Sequence, residues 1–450
     1  MQPARAPAPL IDVVVESLDE AEFLWRTWEQ ELDSPLRDLE AVWFWVEQRL
    51  QGALDGVQVA GDAAIDDLLV PALREPESRS RAIAAAYVLA CEASPRAVDA
   101  LVSASVSEDD VTQSALARGV QLAPAMSPLL EAVLAKRGDR GAALCLEASN
   151  FQQRPAGPAL DVVAALRAGD AGVRSAAIRA LRHLAPAEAS AMYPAIGGAL
   201  AAPDLAVRDA ALETGMILGL PAAWARCLEL AAAPGAAGQR ARLLVALLGT
   251  ERDQRVLLNA TGDEPSRRDA LFALGCAGTP EAADACLQIG GAVPELARLA
   301  TDSFVAVTGV DLAAEGLLAP PPPAAADEPI AFEEEDLDAD LRPTPDQALP
   351  LADWPRLTSW WQRQQRRFAA GRRYLRGQPL DALSVQRFLR EGSMRRRHAT
   401  ALEVAVRSGG RHQVETRAFA REQRRQLSAL ATLDARALSA SPLVRQLSVI

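Results

Sequence analysis

Asp170-Ala-Gly-Val-Arg174-Ser-Ala-Ala and Asp204-Leu-Ala-Val-Arg208-Asp-Ala-Ala are near-copies of one another, 34 residues apart. Related segments appear on either side of them. Upstream are Arg81-Ala-Ile-Ala-Ala-Ala-Tyr-Val-Leu and Arg140-Gly-Ala-Ala-Leu-Cys-Leu, with a weaker copy that begins at Thr112. Downstream are Arg240-Ala-Arg-Leu-Leu-Val-Ala-Leu-Leu-Gly, Arg268-Asp-Ala-Leu-Phe-Ala-Leu-Gly and Arg298-Leu-Ala-Thr-Asp-Ser-Phe. The eight phase markers stand at 81, 112, 140, 174, 208, 240, 268 and 298, with gaps of 28 to 34 residues and a mean of 31. A fixed period of this size marks an array whose units are single supersecondary elements.

The residues of each copy spell a helical hairpin. Four copies place an acid four residues before the marker: Glu77/Arg81, Asp170/Arg174, Asp204/Arg208 and Glu264/Arg268. Such an acid can cap free N–H groups and favours the positive end of the helix dipole. It can also pair with the arginine one turn later, for about 0.2–0.5 kcal/mol. Apolar residues then recur at helical spacing, as in Ala177, Ile178, Leu181 and Leu184, and as in Ala210, Ala211, Leu212 and Ile217. Pro or Gly punctuates at Pro186, Pro203, Gly219-Leu-Pro221 and Gly278-Thr-Pro280. Composition agrees. The 450 residues are 50% hydrophobic but only 4% aromatic, the apolar share being Ala, Leu and Val, which favours helix over strand. Of 47 basic residues only Lys136 is lysine, which suits a GC-rich, bacterial genome.

The Asp-x-x-Val-Arg-x-Ala-Ala pattern resembles the short bacterial HEAT-like repeat of the bilin-lyase type, over roughly residues 62–312. The resemblance implies an all-α fold, an α-solenoid of about eight HEAT-like helical hairpins. Some proteins with such solenoids are DNA glycosylases and others are bilin lyases. A DNA-embracing array needs a basic inner face, whereas this array is acidic, and nothing marks a bilin pocket.

The flanks differ from the array. Residues 1–61 read as an N-terminal helical cap. One stripe is Leu18, Ala21, Trp25, Trp28 and Leu32; Ser34-Pro35 breaks the helix, with Ser as cap and Pro at the first position. The next stripe is Leu36, Leu39, Trp43, Val46 and Leu50, while Trp45 lies off it and faces another element or a partner. The solenoid is assigned 62–315. Residues 316–353 read as a linker, with Ala-Pro-Pro-Pro-Pro-Ala-Ala-Ala at 319–326 and the acidic run Glu333–Asp340. From Trp354 to 450 a small, separate helical domain carries 20 Arg against 6 acids, so the first 353 residues hold −26 of the chain's −12 balance.

Chemistry-bearing residues are sparse. The three histidines (His183, His398, His412) pair with no other His or Cys at metal-ligand spacing, and the five cysteines read as free thiols in a reducing compartment. No nucleophile elbow or phosphate loop occurs, since Lys136 precedes Arg137. The acidic run lacks the glycine and spacing of a Ca²⁺ loop. The reading is therefore a non-enzyme with no metal and no cofactor. Met1–Leu10 has no apolar signal core and no stretch spans a membrane, so a cytoplasmic protein is expected.

The candidate partner-binding residues are Trp360, Trp361, Arg366, Arg367, Arg372, Arg373, Arg395, Arg396 and Arg397. Arginines interleaved with aromatics suit nucleic acid, an acidic protein surface (the array or linker of the same molecule included), or a solvated helix face. The acidity of the remaining chain repels polyanions and disfavours nucleic acid. The marker arginines Arg174, Arg208 and Arg268 are further surface candidates, with intra-helix pairing as their plainer role.

Leu54-Asp-Gly-Val-Gln-Val-Ala-Gly61, Ala306-Val-Thr-Gly-Val-Asp-Leu312, Gly371-Arg-Arg-Tyr-Leu-Arg-Gly377 and Arg395-Arg-Arg-His-Ala-Thr-Ala-Leu-Glu403 occur in that order. Together they resemble an uncharacterised proteobacterial HEAT-like-repeat protein family, often encoded near type VI secretion components. The resemblance implies an adaptor, chaperone or accessory role. Its partners would be proteins, among them secretion-spike or effector proteins, with no membrane partner.

Overall fold

A computed structural model describes residues 11–124, 128–134, 137–158, 160–320 and 346–432. The Pro-rich and acidic runs at 321–340, Met1–Leu10 and the last eighteen residues lie outside the described residues. The fold is all-α. The extended pieces among the described residues are a two-residue hairpin and the bridge between Leu318 and Ala352.

Helix α1 (Ile11–Glu31) buries Leu18, Ala21, Trp25 and Trp28 as the stripe requires. The next helix starts later than the Ser-Pro break suggests. Ser34 Oγ accepts the Arg37 N–H at 3.2 Å and closes a turn, whereas Asp38 caps α2 (Leu39–Val42) by accepting the Ala41 N–H at 2.8 Å. An aspartate oxygen set one residue before the helix competes better for its free N–H groups than the earlier serine. Leu36, left outside the helix, is exposed. α2 runs through a π-helical turn (Trp43–Glu47) into α3 (Gln48–Gln58).

Each of the eight phase markers lies within the first five residues of a helix. These are α4 (Arg79–Glu92), α5 (Asp110–Leu122), α6 (Gly138–Phe151), α7 (Ala171–Ala180), α8 (Leu205–Ile217), α9 (Ala236–Leu248), α10 (Glu264–Ala277) and α11 (Ala297–Thr308). Every one packs on the next, which makes a single row from α4 to α11. Alanines at the shared faces (Ala85, Ala86, Ala148, Ala176, Ala177, Ala211) are fully buried and let the backbones approach closely. The second helices, such as Pro221–Ala231 and Pro280–Ala292, pack between row members.

The acids near the markers divide into two groups. Asp170 and Asp204 are N-caps, accepting the N–H groups of Val173 (2.8 Å) and Val207 (3.0 Å). Glu77 gives way to Ser78, which caps α4, and Glu264 sits inside the first turn of α10. The expected acid–arginine pairs within the helix do not form. Arg81 reaches Glu22 of α1 (3.2 Å), Arg174 the Ala168 carbonyl (3.2 Å), Arg208 the Ala237 carbonyl (2.7 Å) and Arg268 Asp346 (2.5 Å). A capping carboxylate is already occupied by the backbone, and a guanidinium in the first turn is long enough to reach the neighbouring unit.

The composition changes at residue 354, but the packing is continuous. α12 (Trp354–Gln364), the hairpin β1 (Tyr374–Leu375) and β2 (Gln378–Pro379), α13 (Ala382–Glu391), α14 (Met394–Arg407) and α15 (Ala420–Ala429) lie along the row. Leu357, Trp360, Trp361 and Tyr374 share one hydrophobic cluster with α10 and α11. Ala399, Ala405 and Val406 join the cluster around α8 and α9. Val385, Met394, Val404 and Phe419 join that of α1 to α6. Phe419 stacks 4.7 Å from Trp28 and 5.6 Å from Tyr87, so the last described turns close over the cap.

Glu47, fully buried at this closure, accepts the Trp28 Nε1–H (2.9 Å) and the Ala420 N–H (2.7 Å). Burial pushes its carboxyl up to about 7 in spite of those two donors. The folded chain therefore takes up a proton on this group between its free value of 4.5 and about 7. Stability from Glu47 is full below pH 4.5 and falls as pH rises through 7, by up to about 1.4 kcal/mol per pH unit. Urea unfolding at a series of pH values is expected to show this slope in the wild type and to lack it in Glu47→Gln. Equal slopes in the two proteins would refute it. Phe419→Ala is expected to lose about 3 kcal/mol in the same assay, and Trp45→Ala, exposed on the π turn, less than about 0.5 kcal/mol.

Candidate functional site

Six of the nine candidate residues face inward, which corrects their reading as an open partner-binding surface. Trp360 and Trp361 are buried against Phe304, and Trp361 Nε1 donates to Asp284 at 2.6 Å. Their neighbour Trp354 lies over Gly290, where a Cβ would collide with the indole. α12 carries its aromatics on one face, and that face fills the groove between α11 and the helix Pro280–Ala292.

Arg373 is 8% exposed and stands between two helix ends. It donates to the Leu247 carbonyl at the end of α9 (2.5 Å) and to Ala277 and Cys276 at the end of α10 (2.9 and 3.1 Å). Both Glu403 oxygens accept from it, at 2.5 and 3.1 Å. Arg407, one turn beyond Glu403 on α14, adds a contact of 2.7 Å and also reaches Leu247 (3.1 Å). Burial opposes the Glu403 charge, but the two guanidiniums overcome it and hold the carboxyl below the usual range. A buried carboxylate between two arginines keeps its charge only because the donors are already in place.

Arg395 and Arg396 converge on Asp302 of α11, at 3.0 and 2.7 Å. Arg395 also holds Asp346 (2.7 Å), and Arg396 lies 4.7 Å over the Phe272 ring. Arg397 is fully buried and forms no ion pair among the described residues. Its guanidinium donates to the Leu389 carbonyl at the end of α13 (2.6 Å) and to Gln423 (2.8 Å), and burial pulls its pKa down to about 10. β1 runs over the ends of α10 and α11. Tyr374 N–H donates to Gly278 O (2.7 Å) and Gly377 N–H to Val307 O (2.8 Å). Gly278 and Gly309 hold φ of 72° and 66°, and a Cβ on either would strike the passing backbone.

Arg366, Arg367 and Arg372 remain in solvent. With Arg363 and Arg376 they form an exposed set on α12's end and the turn that follows, and no acid occurs between residues 354 and 376. None of the five has a carboxylate partner among the described residues; Arg367 contacts Gln364 (3.3 Å). The marker arginines are similarly sorted: Arg208 is 7% exposed and internal, while Arg268 binds Asp346.

Sequence reasoning missed the acids that receive these side chains: Asp284 for Trp361, and Asp302, Asp346 and Glu403 for the arginines. One local signal existed for Glu403, which shares a helical face with Arg396 and Arg407 at spacings of seven and four. The others come from distant parts of the chain. The five cysteines are free thiols, with Cys145, Cys227 and Cys286 buried, and burial pushes Cys145 up to about 12. Among the described residues no His, Cys, Asp and Glu group could hold a metal ion, and no helix is long and apolar enough to cross a membrane.

Glu403→Ala leaves two guanidiniums buried without a counter-charge and is expected to destabilise the protein by about 3–5 kcal/mol. Arg366→Ala is expected to stay within about 0.5 kcal/mol of wild type. Urea denaturation of both variants checks the contrast.

No protein-family model and no curated protein matches the chain. Among solved structures, the X-ray structure of YibA from Escherichia coli aligns with 56% of this chain and 96% of its own length. Identity is 14% and the TM-score 0.34, a likeness too slight to transfer a role.

Proposed function

We propose that this chain is a non-enzymatic protein-interaction scaffold of the bacterial cytoplasm, an α-solenoid of about eight HEAT-like hairpins that recruits an acidic protein partner. The supporting observation is the exposed arginine set Arg363, Arg366, Arg367, Arg372 and Arg376. Several arginines of the C-terminal segment are spent on internal carboxylates and carbonyls, whereas these five lie exposed on one helix end and the turn after it, without a carboxylate partner among the described residues. Exposed guanidiniums suit bidentate contacts with carboxylates. The residue pattern that resembles the type VI secretion-linked family names the first partners to seek, its spike and effector proteins, for which the chain would act as adaptor, chaperone or accessory.

The test is a nuclease-treated affinity purification of the full chain from its own cells, read by mass spectrometry. The expected outcome is a defined protein partner that is lost from the Arg366→Glu/Arg367→Glu/Arg372→Glu variant, while that variant's melting temperature is unchanged. Retention of every partner by the variant would reject the arginine face. Recovery of nucleic acid alone, with a salt slope of about one unit per phosphate neutralised, would replace the protein partner with a polyanion.

A further inference from the structure

The C-terminal segment and the row of helices do not close completely on one another. Between them lies a cavity of about 270 Å³, walled by Asn150, Arg182, Glu213, Arg240 and Glu415, with α14 as its floor. Most charges around it are already matched. Arg240 pairs with Glu213, and Arg417 pairs with Asp33 at 2.7 Å.

Two opposite charges are left. Arg182 Nε donates to His183 Nε2 at 3.4 Å, and its two terminal NH₂ groups find no partner among the described residues. His183 is fit to hold it. Burial and the Arg182 charge pull that imidazole down to about 4, so the ring is neutral, and its hydrogen bond with the Asn150 backbone leaves Nε2 as an acceptor. Glu415 accepts the Arg417 N–H on Oε1 at 3.1 Å, and no cation pairs with it among the described residues. Glu415 and Glu213 attract Arg182 through space, yet neither forms an ion pair with it. The cavity therefore keeps a guanidinium and a carboxylate apart, each needing a counter-charge. Asn150, 5% exposed, lines the same wall, and its side-chain oxygen has no partner.

We propose that this cavity binds a small zwitterion of the α-amino-acid class, its carboxylate on the Arg182 guanidinium and its ammonium on Glu415. A simple anion would satisfy Arg182 but face Glu415 and Glu213, and a simple cation would face Arg182. A molecule with both charges meets both walls. The volume lies just below the usual range of small-molecule sites and suits one compact ligand. Because the walls come from α6–α9 on one side and residues 413–417 on the other, the ligand ties the C-terminal segment to the row.

The test uses the full chain with a panel of the twenty L-amino acids, with acetate and methylamine as single-charge controls. Calorimetric titration and thermal melting are expected to show saturable binding of at least one amino acid, with a raised melting temperature. Affinity is expected to fall at least tenfold in Arg182→Gln and in Glu415→Gln and to be unchanged in Arg387→Gln, an exposed site away from the cavity. Hydrogen exchange on the wild type is an independent readout should a glutamine variant not fold; the ligand is expected to protect residues 180–184 and 413–417. Binding by no member of the panel overturns the proposal. So does acetate or methylamine binding as tightly as any amino acid, unchanged affinity in both glutamine variants, or protection confined elsewhere.

Discussion

Glu403 holds two arginines in the interior, and the position of the whole C-terminal segment follows from that cluster. The last carbonyls of α9 and α10 have no partner within their own helices, as at every helix C-terminus. Arg373 supplies donors to both ends at once, and its positive charge suits the negative end of each dipole. Arg373 finds its counter-charge in Glu403, and Glu403 in turn is fixed on α14 beside Arg407. Placing Arg373 therefore places β1 and α14 together. Once they are placed, Gly278 and Gly309 let the β1 backbone lie against the helix ends with no side chain between.

The same logic recurs through the molecule. Arg242, 1% exposed, donates to the carbonyls of Ala233 and Gly235 at the end of the helix Pro221–Ala231 and is neutralised by Asp269. Arg397 closes the end of α13, with the amide of Gln423 in place of an acid. A chain that uses arginine almost to the exclusion of lysine has planar, multi-donor groups for this task, which a lysine ammonium would perform less well.

Charge asymmetry has a structural outlet before it has a functional one. Acids of the first 353 residues, which carry −26, meet arginines of the remainder, which carries +14, at Asp302 and Asp346 in the interior and at Asp33 and Glu40 on the surface. Pairs such as Arg417–Asp33 and Arg424–Glu40 join residues 384 positions apart, contacts of the long sequence separation that slows folding. The exposed arginines after α12 and the Arg182 and Glu415 charges of the cavity stand outside these pairs.

The helical array was legible because its determinants are local. Spacing of apolar residues, the Asp170 and Asp204 caps and the Pro and Gly breaks each act within one or two turns, and the marker period places all eight row helices. The tryptophan stripe of α1 was legible for the same reason. The roles of Trp360, Trp361 and the Arg395–Arg397 run were not, since an arginine beside an aromatic reads alike on a surface and in a core. Trp361, Arg395 and Arg396 find their carboxylates 77 to 94 residues away, which only the docking of the segment brings within reach. The cavity is subject to the same limit. Arg182 and Glu415 are unremarkable in their own turns, and only the packing of one end of the chain on the row brings both to one cavity.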